Sequence, residues 1–274
     1  MLGLFDVEGH GAAHITDATQ RATESTAHLS YFFTGLSLPF RAFALIVRTP
    51  KLFGLSVLCA FVTAAVLILS GAGAWLGGSW LGERLAPENP TLHTAASVTL
   101  AVVFALVFFV IFALTLPNLA LAPLQDPISE ATEAAVGQFT PEPFSFSGLV
   151  KGTVESLKHT LLRLGVMLLG VLVLLPLNLI PAVGSVAYLV LSSIWSMFWI
   201  SVEHLSNPMA RHLMPFSLVV KTLRRRSALA FGFGAAVYLL LWIPVLNFFL
   251  MPVAVVAGTL LYRRLLDEGA FTPT

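Results

Sequence analysis

Two long stretches of this chain, Leu52 to Gly82 and Thr94 to Gln125, contain no Asp, Glu, Lys, Arg or His. A helix rises ~1.5 Å per residue and needs ~20 residues to cross a ~30 Å hydrocarbon layer, so each run predicts a membrane-spanning helix, over 52–82 and 94–122. Trp75 and Trp80 fall where the first span would enter the interface. Gly73 and Gly77 form a GxxxG spacing that either admits a close neighbouring helix or loosens the end of the span. A short loop, Glu83 to His93, rich in proline and acid, separates the two runs. Beyond them the chain turns polar. Asp126-Pro127 reads as an N-cap with proline at the first helical position, and Gly137 as a helix stop. Val150, Val154, Leu157, Leu161 and Leu164 repeat at helical spacing, with Lys151, Glu155 and Lys158 on other faces. That pattern predicts an amphipathic helix at the membrane surface or against a partner helix.

Leu164 to Val202 is again free of ionisable residues, interrupted by LNLIPAVG at Leu177 to Gly184. Proline and glycine there predict a hairpin of two helices, each of roughly eighteen residues or ~27 Å, marginal for spanning. Ala228 to Tyr262 repeats the design around IPVLN, Ile243 to Asn247, with arms of roughly fifteen residues or ~22 Å. Length therefore favours two half-penetrating hairpins, 164–202 and 228–262. Non-helical backbone at membrane depth needs a cover of protein or water, so the hairpins imply an oligomer, a cavity, or both. The predicted fold is all-α integral membrane: two long transmembrane helices, two hydrophobic hairpins and amphipathic surface helices. Residues 1–34 form a polar arm, flexible or lying on the surface, 35–264 a single membrane domain, and 265–274 a tail. The first thirty residues lack the apolar core of a secretory signal.

Composition agrees. Of 274 residues, 57% are hydrophobic and 11% charged, with a mean hydropathy of +0.87, whereas soluble domains carry roughly 25% charged residues. The net charge of +1 gives nucleic-acid binding no support. With the Glu83–His93 loop outside and both hairpins returning inside, Arg84 is the one outward base and the other fourteen of the 15 lie inside. This asymmetry is what the positive-inside rule expects. Six full spans would give the same distribution of charge. A single Cys59 leaves no disulfide, and His10 and His14 share a helix face without a third metal ligand. No catalytic triad, phosphate loop or HExxH occurs, and Gly232-Phe233-Gly234 is only half of a dinucleotide fingerprint. Neither enzyme chemistry nor a cofactor is expected.

PNLALAPLQDPISEATEAAVG (Pro117 to Gly137), LIPAVGSVAYLVLSSIWSMFWISVEHLSNP (Leu179 to Pro208) and PFSLVVKTLRRRSALAFGFGAAVYLLLWIPVLNFFLMPVAVVAGTLL (Pro215 to Leu261) resemble the CysZ-type sulfate permeases, within the broader group of etoposide-induced-protein-like membrane proteins. The FGFG and IPxLNxFxMPVAV order is the most specific part. The resemblance implies a bacterial inner-membrane oligomer that admits sulfate to the cytoplasm for cysteine synthesis. In those permeases a proline before the first span is followed by a Gly-Leu/Ile-Arg motif, often with a second Arg, associated with sulfate binding. Here the stretch reads Thr49-Pro50-Lys51-Leu52-Phe53-Gly54, with Phe53 and Gly54 at the arginine positions.

Arg48, Lys51, Leu52 and Gly54 are therefore the candidate anion-binding residues, since a desolvated oxyanion needs positive charge or helix N-terminal amides. As a simpler account, Arg48 and Lys51 anchor the span without touching substrate. Arg224, Arg225 and Arg226 are either a topological anchor or a site for anionic lipid or anion. Asn118, Asn178 and Asn247 cap broken helices or line a passage, and Glu203 with His204 forms a candidate proton-sensitive pair or an interfacial pair in water. The leading function is a sulfate-like anion permease. The alternative is a membrane scaffold that kept the fold and lost the transport site.

Overall fold

The computed structural model describes the backbone of residues 7–85, 90–137, 146–181, 183–243 and 247–271, with side chains at 26–85, 93–110, 120–121, 123–137, 154, 158–181, 183–243 and 250–271. Every regular element among them is helical: α1 (Val7–Arg48), α2 (Pro50–Leu85), α3 (Pro90–Val136), α4 (Phe146–Leu174), a 3-10 turn (Leu175–Leu179), α5 (Val183–Arg211), α6 (Phe216–Arg225), α7 (Ser227–Leu241) and α8 (Asn247–Asp267). Helices satisfy their backbone groups internally, which a lipid environment demands. Among the described residues five segments are long and apolar enough to cross a membrane: Thr26–Arg48, Pro50–Leu85, His93–Val110, Lys158–Leu179 and Val183–Arg211. The chain divides into two compact units. One comprises Met1–Phe43, Thr140–Trp242 and Ala257–Thr274, the other Ala44–Phe139 and Ile243–Val256.

In the second unit α2 and α3 pack as an antiparallel pair. The buried stripe of α2 is made largely of small side chains, among them Ser56, Cys59, Thr63, Ser70, Ala74, Gly78 and Gly82. The opposite face carries Phe61, Ile68 and Leu69, each about 70% exposed (70%, 71% and 70%). So much bare apolar surface would drive aggregation in water; lipid is the solvent it fits. The close approach uses Gly78 and Gly82 rather than the expected Gly73 and Gly77. A β-carbon at Gly78 or Gly82 would stand 2.5 Å from the carbonyl oxygen of Ala101 or Ser97, whereas one at Gly73 would meet nothing within 4 Å. A β-carbon at Gly77 would meet only the Phe108 ring of α3, at 3.6 Å, an ordinary contact. The glycine-rich end is fully helical through Leu85 and α3 begins at Pro90, so both ends of the expected Glu83–His93 loop are helical; residues 86–89 lie outside the described residues. Arg84 lies over the Trp80 ring at 5.0 Å, an anchor of the interfacial kind.

Three sequence boundaries are corrected. No helix begins at Asp126-Pro127: α3 runs unbroken to Val136 and ends where Gly137 takes a positive φ of 89°. Proline is compatible with a helical φ, and its missing N–H vacates one ladder bond without ending the helix. The boundary expected after residue 34 falls inside α1, one 42-residue helix from Val7 to Arg48 whose Thr26–Arg48 part is a candidate span. The amphipathic stretch from Val150 is not a separate surface helix but the start of α4, which is 29 residues long, as is α5.

At ~43 Å each, α4 and α5 exceed the eighteen-residue arms expected of the first hairpin. Its turn is as expected. Gly184 sits against the Leu177 carbonyl too closely for any side chain, and the Asn178 amide donates to the Leu175 carbonyl at 3.3 Å, a local cap. Of the second pair, α7 has the expected 15 residues whereas α8 has 21, and residues 244–246 of IPVLN lie outside the described residues. The surface helix is α6, which buries Phe216, Val219, Thr222 and Leu223 and leaves Lys221, Arg224 and Arg225 exposed.

Candidate functional site

Thr49 is the single non-helical residue between α1 and α2. Its N–H donates to the Leu45 carbonyl at 3.0 Å, completing α1, and its carbonyl accepts the Phe53 N–H at 2.9 Å, opening α2. Pro50 fixes the joint, because the residue before a proline is pushed out of the helical region and proline suits the first helical position. The first amides of a helix have no intrahelical partner, and Pro50 has none to offer. The orphan donors are thus the N–H groups of Lys51 and Leu52, at the positive end of a 36-residue helix.

The four predicted residues converge here, with different roles. Arg48 and Lys51 are exposed and bring positive charge to the joint. Leu52 is fully buried, so its side chain anchors the helix and only its amide can serve an anion. Gly54 is exposed, and a β-carbon there would touch nothing within 4 Å, so the second unit's packing does not require glycine at this position. Two cations, two amides and an open approach suit a tetrahedral oxyanion. Asn118 lies within α3 and Asn247 opens α8, but their side chains, like those of His10 and His14, fall outside the described residues. Among the described residues no group of three His, Cys, Asp or Glu could hold a metal.

Glu203 and His204 do not act as a pair in water. Glu203 turns to Arg163, forming an ion pair at 3.5 Å, while His204 packs edge-on against Phe233 at 6.1 Å. Two polar groups escaped the sequence reading. His159 is buried, with Nε2 at 2.9 Å from the Met214 carbonyl oxygen and its ring edge-on to Phe216 at 5.4 Å. Glu133 is buried near the end of α3, beside Thr132, whose hydroxyl donates to the Ile128 carbonyl at 2.7 Å.

Residues 38–252 match the family described as "Sulfate transporter CysZ/Etoposide-induced protein 2.4". The chain is also similar to the proteins named "Sulfate transporter CysZ" of Salmonella typhimurium and Salmonella typhi. It is 32% identical to each over 202 residues, covering 72% of this chain and 80% of theirs. The matched span holds the α1–α2 joint, the turn between α4 and α5, and the IPVLN segment. With its apolar helices and a match over well more than half its length, the chain is a multi-pass membrane protein and belongs to the sulfate transporter CysZ/etoposide-induced protein 2.4 family.

Proposed function

We propose that the chain is a channel-like anion permease of the bacterial inner membrane that admits sulfate for cysteine synthesis, working as a homo-oligomer. The observation that carries the reading is the 32% identity to named sulfate transporters, together with a family match over residues 38–252 that contains the cationic start of α2. Arg48, Lys51 and the amides of Lys51 and Leu52 would meet the anion, with Gly54 leaving room for it. Radiolabelled sulfate uptake into proteoliposomes, with phosphate and chloride as competitors, tests the proposal. Sulfate uptake no faster than into empty liposomes would remove it. One observation favours a second reading. Phe53 and Gly54 stand where the permeases carry arginine, and a scaffold of the same fold without transport would tolerate that loss.

Flux is expected to run down the anion's own gradient. Proton-coupled transporters commonly keep an Asp, Glu or His within the membrane because that costly group does the coupling. Leu52 to Gly82, Thr94 to Gln125 and Leu164 to Val202 hold none. Those in the candidate spans lie toward their ends, where His28 is exposed, His159 contacts the Met214 carbonyl, Glu203 is paired with Arg163 and His204 packs on Phe233. With potential clamped by potassium and valinomycin, an imposed pH gradient should leave sulfate at its equilibrium level. Accumulation above equilibrium that a protonophore abolishes would refute this.

The basic segments are proposed to be cytoplasmic and the second hairpin half-penetrating, since α7 spans only ~22 Å. In a Cys59→Ala background, a cysteine at Glu83 or His93 should react with an impermeant thiol reagent applied outside. A cysteine at Pro181, in the turn of the first hairpin, should stay unlabelled if that hairpin also stops within the membrane. Labelling at Pro181 would make α4 and α5 full spans, and labelling at neither loop position would invert the topology.

A further inference from the structure

We propose that the cavity where α1 meets the α6–α7 corner binds the phosphate of an anionic phospholipid headgroup. The cavity measures about 180 Å³ and is lined by His28 and Tyr31 of α1 and by Arg225, Arg226 and Ser227 at the corner. None of these residues belongs to the Arg48–Gly54 site.

Arg226 alone separates α6 from α7, with φ −114° and ψ 45°. Its carbonyl accepts the Ala230 N–H at 3.0 Å, so the amides of Ser227 and Ala228 stand without intrahelical partners at the positive end of α7. The guanidinium of Arg226 is held in place on three sides. It donates to the Tyr31 hydroxyl at 3.2 Å, lies over the Tyr31 ring at 5.3 Å, and faces Glu268 at 3.6 Å. Arg264 lies 5.8 Å from the centre of the same ring and donates to the same Glu268 at 2.9 Å. Two arginines thus share one carboxylate, and positive charge remains. Exposed Arg225 adds to it, and the exposed His28 ring lines the cavity as a further hydrogen-bonding group. Immobilised cations beside free amides are arranged for a phosphate before it arrives, which lowers the ordering cost of binding.

The source of that phosphate is assigned by what lies alongside. On α1, Leu29, Phe33 and Phe40 are 58%, 57% and 63% exposed, an apolar track beginning next to His28. Acyl chains need such a track and free sulfate does not. Basic pockets between membrane helices are the setting in which anionic headgroups are held.

The test uses the full-length protein in nonionic detergent, with dioctanoyl-phosphatidylglycerol, dioctanoyl-phosphatidylcholine and sodium sulfate as probes, and binding read by native mass spectrometry. Phosphatidylglycerol should bind at least tenfold more tightly than phosphatidylcholine. His28→Gln with Arg225→Gln, both at exposed positions, should weaken phosphatidylglycerol at least tenfold, or about 1.4 kcal/mol. Ala228→Phe, which fills the cavity without changing charge, should weaken it comparably. Wild-type affinity in both variants, with helicity and elution unchanged, overturns the proposal. So does displacement of the lipid by sulfate at equal concentration, which would make this a free-oxyanion site.

Discussion

Gly232→Val is expected to reduce the yield of folded, monodisperse protein at least tenfold. A β-carbon at Gly232 would collide with the carbonyl of Phe32, and the reciprocal position Gly35 faces the backbone of Leu229 and Phe233 just as closely. α1 and α7 therefore cross backbone to backbone, and no flexible side chain can swing aside. On the far side of the same short helix, Gly234 meets the Met197 carbonyl, where the Ser201 hydroxyl also donates to the Ala230 carbonyl at 2.6 Å. Overpacking a core with a yielding side chain costs about 1–3 kcal/mol; separating two helix backbones costs more, against a total stability of about 5–15 kcal/mol. Fluorescence-detected size exclusion of detergent extracts measures the effect. Gly54→Val is the control, since nothing within 4 Å opposes it. Equal yields for the two variants would show that the crossing is not where the fold is decided.

Sulfate uptake should fall at least tenfold when Arg48 and Lys51 are both replaced by Gln, at matched insertion into proteoliposomes. The two side chains are exposed at the joint, and replacing them removes both positive charges there while the backbone amides of residues 51 and 52 stay in place. The loss should be largest at low salt, because exposed charges attract an anion across a screened distance of about 8 Å at physiological ionic strength. Arg48→Lys should keep most of the rate, since charge rather than a planar fork is what the open approach at Gly54 can use. Orientation should not change, because twelve other basic residues remain on the inward side of the proposed topology. Unchanged uptake in the double variant would leave Arg48 and Lys51 as anchors.

The spans of α2 and α3 were legible because a run without charge over 30 residues has one physical reading. Which face packs was not. GxxxG spacing fits Gly73 and Gly77, yet the partner helix selects Gly78 and Gly82, and only the fold supplies that choice. The α1 span was hidden by Arg41 and Arg48, although Leu38, Ala42 and Ile46 form a buried stripe at four-residue steps that could have been found. At the candidate site the charges of Arg48 and Lys51 were visible, and so was the proline joint. Their division of labour, with Leu52 inward and Gly54 outward, needed coordinates. The Arg163–Glu203 pair joins residues forty positions apart, a relation that neither periodicity nor propensity encodes.

The antiparallel packing of α2 and α3 bears on how long an anion would stay. Because the helices run in opposite directions, the first turn of α2 and the last turns of α3 share one end of the hairpin. The former brings Lys51, with Arg48 just before it at the end of α1; the latter brings Asp126, Glu130 and Glu133. On the proposed function, carboxylates at the same end would oppose an oxyanion drawn to those cations and shorten its residence. Such a mouth makes a poor reservoir. Dwell times would be brief and half-saturating concentrations high, so throughput would rise almost linearly with supply over a wide range.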